Sequence, residues 1–207
     1  MLRKTFWTFC LFLTSLCATA QHEVGVTTIK PYAGISFASM FNGDLDFRRG
    51  VAVGVDVEKR LASWFSVSGG LAYAPLGGKY KNGGQNDFVW KHDYLTIPVT
   101  ANFYVVKGLA FKAGLQPGFC IRNRQESIGN STLVMKTMDG DLKSYDLSVP
   151  VAISYELCNI VLDVRWNIGI MDIGSSDPWK GSVYMSNSHL SGANFAYVFT
   201  IGYQFEL

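Results

Sequence analysis

Charged residues are scarce in this chain of 207 residues, since Asp, Glu, Lys and Arg make up only 16% of it, against about 25% in an ordinary soluble domain. The charge is also balanced, with 18 basic and 16 acidic residues, so no basic field is present that would attract nucleic acid. Four cysteines are too few for a disulfide-rich scaffold. Hydrophobic residues, by contrast, make up 48% of the chain and aromatic residues 14%, which excludes an intrinsically disordered protein.

A long apolar segment is missing as well. The longest run, from Thr5 to Leu16, has about a dozen residues, whereas a membrane-spanning helix needs about 20. Arg3 and Lys4 precede this run, and the small residues Ala18 and Ala20 follow it. Residues 1–20 therefore have the three zones of a secretory signal peptide, and we predict cleavage between Ala20 and Gln21.

Lipoprotein processing at Cys17 is the alternative, but Leu16 stands where that processing requires a small residue. Removal of residues 1–20 takes two basic residues with it and leaves 16 basic against 16 acidic residues. Residues 21–207 then form one domain of ordinary size. Only Cys120 and Cys158 remain in it, and their separation along the predicted strands is too large for a disulfide.

Apolar residues recur at every second position from residue 29 onward, a period typical of β-strands. The clearest segment is Val51, Val53, Val55 and Val57, which alternate with small or acidic residues. The same pattern begins again near residues 29, 65, 95, 109, 147, 160 and 195. The sequence therefore predicts eight strands.

A soluble β-sandwich would show the same period, but two further features favour a membrane barrel. The predicted strands have about 10 to 14 residues, enough to cross the hydrocarbon layer when tilted. Short turns at 61–64, 106–108 and 156–159 alternate strictly with long connections, as in outer-membrane barrels with short periplasmic turns. We therefore predict an all-β fold, an eight-stranded antiparallel up-and-down transmembrane β-barrel with both termini in the periplasm and the long loops extracellular.

Aromatic residues gather near the predicted strand ends, where amphipathic rings form girdles at the headgroup level. Three prolines fall inside predicted strands and are expected to mark bulges or strand ends, because each removes a ladder donor. The prolines are Pro98, Pro117 and Pro150. The girdle residues are Trp64, Phe65, Tyr155, Tyr203 and Phe205 on the periplasmic side and Tyr73, Tyr94, Phe119 and Tyr197 on the outer side.

Four segments of the sequence resemble the PorT-like outer-membrane β-barrel proteins of Bacteroidetes. They are GVDVEKRLASWFSVSGGLAYAPLGGK within 51–79, YLTIPVTANFYVVKGLAFKAG at 94–114, LDVRWNIGI at 162–170 and NFAYVFTIGYQF at 194–205. The resemblance spans nearly the whole exported chain and implies an eight-stranded barrel in the outer membrane. The founding member of that family is tied to protein secretion, but no motif here carries that role over.

An eight-stranded barrel is just wide enough inside for side chains to fill it, so a diffusive porin is not expected. Charges enclosed in a narrow lumen need partners. We therefore predict that Arg165 and Lys112 meet some of the inward acidic groups in a polar plug, with an ion path as the alternative. The predicted interior polar network consists of Asp56, Glu58, Lys112, Gln116, Glu156, Asp163, Arg165 and Asn167, with Gln204 on the same side.

Catalysis and metal binding find little support. His189 and Ser191 have the spacing of a lipid-acting rim enzyme, but no carboxylate lies within a few residues to orient the imidazole. The three histidines are isolated from one another, which disfavours a metal site. The glycine pairs at 77–78 and 83–84 lack the strand–loop–helix context of a phosphate cradle. We expect no cofactor and no catalytic residue.

The external loops are the remaining candidates for function, because loops carry binding on rigid scaffolds. The segments 122–143 and 172–192 are long and mix Ser, Asn and Gly with aromatic residues and Met. An extracellular ligand or a secretion component is one expectation for them, and simple surface cover is the other. We expect a monomer that contacts outer-membrane lipid and the barrel-insertion machinery, and no nucleic acid.

Overall fold

A computed structural model describes residues 23–40, 46–80, 86–129, 134–137, 144–171 and 193–207. Within these ranges, no helix is long and apolar enough to cross a membrane. All regular structure there is β-strand. The strands are β1 (Thr27–Met40), β2 (Asp46–Ala62), β3 (Phe65–Tyr80), β4 (Asn86–Thr96), β5 (Val99–Val106), β6 (Leu109–Gly129), β7 (Val134–Thr137), β8 (Tyr145–Leu157), β9 (Ile160–Gly169), β10 (Asn194–Tyr203) and β11 (Phe205–Glu206).

The described strands form one antiparallel sheet that closes on itself through the pairing of β10 with β1. Strands β4 and β5 share the neighbours β3 and β6 in one continuous register, so they are two halves of one barrel strand. Strand β11 continues β10 along β1, whereas β7 pairs only with β6. The ring therefore has eight strands, which confirms the predicted fold class.

Two-residue turns connect the strands at one end of the barrel. They join Ala62 to Phe65, Val106 to Leu109, and Leu157 to Ile160. In the last turn Cys158 and Asn159 both have positive φ angles, 51° and 65°, as a type I′ hairpin requires. The predicted short turns are confirmed.

The predicted outer connections are too long, because several strands continue past the alternating pattern. Strand β6 extends to Gly129, and β7 then pairs back onto it through Arg124 and Thr137. Residues 122–129 and 134–137 of the predicted loop 122–143 are therefore strand. The period-2 signal fades there because residues beyond the membrane no longer need one apolar face, although the backbone ladder continues.

Bulky apolar side chains point away from the barrel axis, and small or polar side chains point into it. On β2, Val51 is 62% exposed whereas Asp56 is 6% exposed. The same alternation runs along β8 and β9. A soluble sandwich would bury the bulky face, so this orientation is the one that an acyl-chain environment requires.

Tyr94 departs from the predicted girdle. Its side chain is fully buried and lies on the inward face with Thr96, while Leu95 between them is exposed. The girdle prediction for Tyr94 considered only that this residue lies near a strand end. It did not consider that Tyr94 shares the inward side of the strand with Thr96. Of the other predicted girdle residues, Phe119 near the outer end and Tyr155, Tyr203 and Phe205 near the periplasmic end are exposed on the lipid-facing surface.

The three strand prolines have different consequences. Pro98 falls in the gap between β4 and β5, where the ladder is maintained by the Gly70 amide donating to the Pro98 carbonyl at 3.0 Å. Pro117 and Pro150 stay inside the continuous strands β6 and β8. The expectation of a bulge or strand end therefore holds for Pro98 and is wrong for the other two.

Candidate functional site inside the barrel and at its outer rim

A cluster of buried charges crosses the barrel interior. Arg165 on β9 lies 3.7 Å from the Asp56 carboxylate on β2 and 3.4 Å from Asp163 on its own strand. Lys30 on β1 lies 3.3 Å from Asp56, and Lys112 on β6 lies 4.0 Å from Asp163. Four strands thus contribute to one alternating chain of cations and anions.

Glu58 extends this chain toward the periplasmic end. Its carboxylate lies 3.9 Å from the Lys112 ammonium group. The Ser66 hydroxyl donates to it at 2.6 Å, and the Tyr104 hydroxyl donates to it as well. The Arg60 guanidinium stands 3.5 Å from the centre of the Tyr104 ring. Glu58 is therefore held by one charge and two hydroxyl groups.

A neutral layer of hydroxyl and amide groups adjoins Glu58. Ser68 and Thr100 share a hydrogen bond of 2.7 Å, and Thr100 donates to the Asn102 amide oxygen at 2.9 Å. The Asn102 amide nitrogen donates to Ser66 at 3.0 Å and to Ser68 at 3.1 Å. These bonds connect β3 to β5 and link the neutral layer to the charged one through Ser66.

All eight residues of the predicted interior network are buried in the lumen. The structure brings Asp56, Glu58, Lys112, Asp163 and Arg165 into one cluster. Gln116, Glu156 and Asn167 are buried as well, at 4%, 8% and 6% exposure. Gln204, also predicted to face inward, donates to the Thr28 hydroxyl at 2.7 Å.

Sequence reasoning missed Lys30, Arg60, Ser66 and Tyr104. A signal for Lys30 was available, because it occupies an inward position two residues before Tyr32 on β1. Tyr104 has the same parity as Thr100 and Asn102 on β5, which are both buried. Parity along each strand would have found both residues.

A cluster of buried apolar side chains lies on the outer side of the charged cluster. It is formed by Ala38, Ala52, Leu76, Tyr94, Ala196 and Val198. Between this apolar cluster and Arg165 lies a cavity of about 20 Å³, which is room for one water molecule.

A second charged group lies at the outer rim. The Asp93 carboxylate on β4 is 2% exposed and accepts a hydrogen bond of 2.7 Å from Arg48 on β2. Arg122 on β6 approaches the other carboxylate oxygen at 3.6 Å. Arg48 also donates to the Leu76 carbonyl. Side chains of β2 and β6 are thereby joined through Asp93 on β4.

Other predicted sites fall partly outside the described residues. The cleavage-site residues Ala18, Ala20 and Gln21, as well as His189, Ser191 and the segment 172–192, are among those the structure does not describe. Cys120 carries a free thiol and is therefore not bonded to Cys158. Within the described ranges, no three His, Cys, Asp or Glu side chains are grouped closely enough to hold a metal ion.

The model of one protein family, described as outer membrane protein beta-barrel domain, matches residues 19–175. This match covers about three quarters of the chain. The sequence of the chain matches no curated protein.

Solved structures of small bacterial surface proteins are similar to the chain at low sequence identity. Ail, the attachment invasion locus protein of Yersinia pestis, solved with the heparin analogue sucrose octasulfate, is 14% identical over 88% of this chain and 100% of Ail, with a TM-score of 0.47. Neisserial surface protein A is 16% identical over 87% of this chain and 97% of its own, with a TM-score of 0.42. The N-terminal barrel domain of Pseudomonas aeruginosa OprF is 10% identical over 89% of this chain and 100% of its own, with a TM-score of 0.38.

Proposed function

Because the chain belongs to the family of outer membrane protein beta-barrel domains, we propose that it is an integral outer-membrane protein with a closed, filled interior and no transport path. Its role is then structural, adhesive or accessory to secretion and is exercised by its outer surface. The observation that carries this proposal is the chain of ion pairs from Lys30 through Asp56, Arg165, Asp163 and Lys112 to Glu58.

The ion pairs support a plug because they run across the lumen as well as along its wall. Breaking a buried pair leaves an uncompensated charge at a cost of about 3–5 kcal/mol. An ion that passed through would have to separate several such pairs in succession. The cluster of buried apolar side chains that includes Leu76 and Tyr94 supports the proposal further, because apolar groups cannot replace the hydration shell of an ion.

Planar-bilayer recording of the purified barrel tests this proposal against the narrow ion channel. We expect no unitary conductance above the background of protein-free bilayers. The Lys112→Ala/Arg165→Ala double variant is the positive comparison, because it removes the two cations that bridge β2, β6 and β9. Steady channel activity of the wild-type protein would contradict the proposal.

We assign no catalytic activity to the chain. His189 and Ser191, the candidate pair of a lipid-acting rim enzyme, have no acidic partner close in sequence. Mass spectra of lipid A from cells with and without the gene test this point directly. Loss or gain of an acyl chain that depends on the gene and on Ser191 would establish the enzyme instead.

An adhesive or secretion-accessory role is carried in this proposal by the segments 122–143 and 172–192. Strand β7 and the outer half of β6 give the first segment a paired backbone from which side chains can be presented. The resemblance to PorT-like proteins supports the secretion-accessory form of the role. Replacement of each segment by a short Gly-Ser linker, with the barrel retained, separates the adhesive role from the secretion-accessory role. An adhesive role predicts that binding to host surfaces falls. A secretion-accessory role predicts that the yield of secreted protein falls.

A further inference from the structure

The Asp93 carboxylate at the outer rim divides its contacts unequally between two arginines. Arg48 lies 2.7 Å from one oxygen and is itself nearly buried, with 10% of its side chain exposed. Arg122 lies 3.6 Å from the other oxygen, and 62% of its side chain is exposed. The short, buried contact neutralises Asp93, so the group of three residues carries one excess positive charge, and the exposed partner presents it.

Arg122 stands at the edge of the lipid-facing surface. On β6, the residues Phe119 and Ile121 just before Arg122 are 54% and 57% exposed. Tyr145 on β8, which pairs with Phe119, is 52% exposed. Such bulky exposed side chains mark contact with hydrocarbon, and aromatic rings settle at the headgroup level. Arg122 lies on the side of the long connections, which places its guanidinium at the headgroups of the outer leaflet.

The side of Arg122 in the sheet is fixed by strand register. A β-bulge on β6, with Ile121 as the extra residue between Cys120 and Arg122, sets Arg122 opposite Asp93 and Arg124 opposite Lys91. Asp93 is 2% exposed, whereas 62% of the Arg122 side chain is exposed, so the Arg122 guanidinium is the part of this pair that reaches the outer surface. Lys91 and Arg124 make contacts of their own.

We propose that Arg122 binds a phosphate group on the headgroup of an outer-leaflet glycolipid, with Asp93 and Arg48 as positioning residues. A guanidinium fork matches two phosphate oxygens, and the Arg122 guanidinium approaches Asp93 through one terminal nitrogen while 62% of its side chain stays exposed. Lipid binding at Arg122 takes place on the lipid-facing surface of the barrel and does not depend on the role of the external segments.

The test measures binding of fluorescent lipid A to the detergent-solubilised barrel. Bisphosphorylated lipid A, the same lipid with its phosphates removed, and inorganic phosphate as competitor are the three probes. Arg122→Gln should weaken binding of the bisphosphorylated lipid roughly tenfold, as expected for one charge-assisted contact. Lys107→Gln is the matched control, since it removes an exposed cation from the opposite, periplasmic end. Each variant is first shown to be folded by its heat-modifiable migration.

The positioning role of Asp93 has its own readout. Asp93→Asn should weaken binding less than Arg122→Gln, and the double variant should bind no more weakly than Arg122→Gln alone, since residues that act through one another are not additive. Three results would overturn the proposal: wild-type affinity in Arg122→Gln, equal binding of the dephosphorylated lipid, or complete displacement by inorganic phosphate at concentrations comparable to those of the lipid.

Discussion

Arg165 and Asp56 lie 3.7 Å apart although strands β10 and β1 separate their own strands in the ring. The pair therefore spans a chord of the lumen, and its two charges leave water together when the barrel closes. Asp56 is shared with Lys30, and Arg165 is shared with Asp163. Removal of the one guanidinium thus affects two carboxylates.

Replacement of Arg165 by Ala should lower the free energy of unfolding by about 3–5 kcal/mol, because Asp56 and Asp163 lose a buried partner. The measurement is the temperature at which heat-modifiable migration is lost in detergent, together with a urea titration in lipid vesicles. Arg49→Ala is the control, since Arg49 is exposed on the outer surface and contacts only the Phe37 ring among the described interactions. Equal stability of the two variants would show that the interior ion pairs do not hold the barrel together.

The contact between Lys112 and Glu58, at 3.9 Å, should appear as an energetic coupling across the lumen. We expect the single variants Lys112→Met and Glu58→Gln each to destabilise the barrel, and the double variant to lose less than their sum. The expected coupling is about 0.5–3 kcal/mol. A double-mutant cycle from unfolding titrations measures it, and additive losses would mean that the two groups are held by other partners.

The orientation of the bulky side chains predicts a cost that depends on depth in the membrane. Val164 lies midway along β9 and is 49% exposed, and Ile170 lies just beyond the outer end of the same strand at 55% exposure. Val164→Arg should cost about 2–4 kcal/mol and Ile170→Arg about 0–1 kcal/mol, as for charges at the midplane and the interface of a barrel. Folding titrations in lipid vesicles provide the comparison. Similar costs for both variants would contradict a lipid-facing outer surface.

The strand period and the alternation of connection lengths were sufficient to predict the ring of eight strands. Both signals come from the membrane itself, because hydrocarbon requires one apolar face on every strand. Beyond the membrane this requirement ends. For that reason the sequence did not predict that β6 reaches Gly129 or that β7 pairs back onto it.

Side-chain direction was predictable inside the membrane, but contact partners were not. Parity placed Asp56, Lys112 and Arg165 in the lumen, yet which cation meets which anion depends on the relative stagger of β2, β6 and β9. Asp93 was not singled out, and the extra residue Ile121 on β6 changes which β6 residue lies opposite it. A register shift of one residue carries no marker in this sequence.

Gly34 lies at the seam where β1 closes the barrel against β10. A β-carbon at this position would overlap the Phe199 carbonyl oxygen and come within 2.7 Å of the Thr200 α-carbon, and these are backbone atoms that cannot move aside. Gly34→Ala should therefore destabilise the barrel by about 1–3 kcal/mol through overpacking. Gly69→Ala is the matched control, because the nearest atom to its added carbon, the Pro98 carbonyl oxygen, is 3.9 Å away. The folded fraction from heat-modifiable migration after refolding into vesicles compares the two, and equal yields would show that the β1–β10 seam has room to spare.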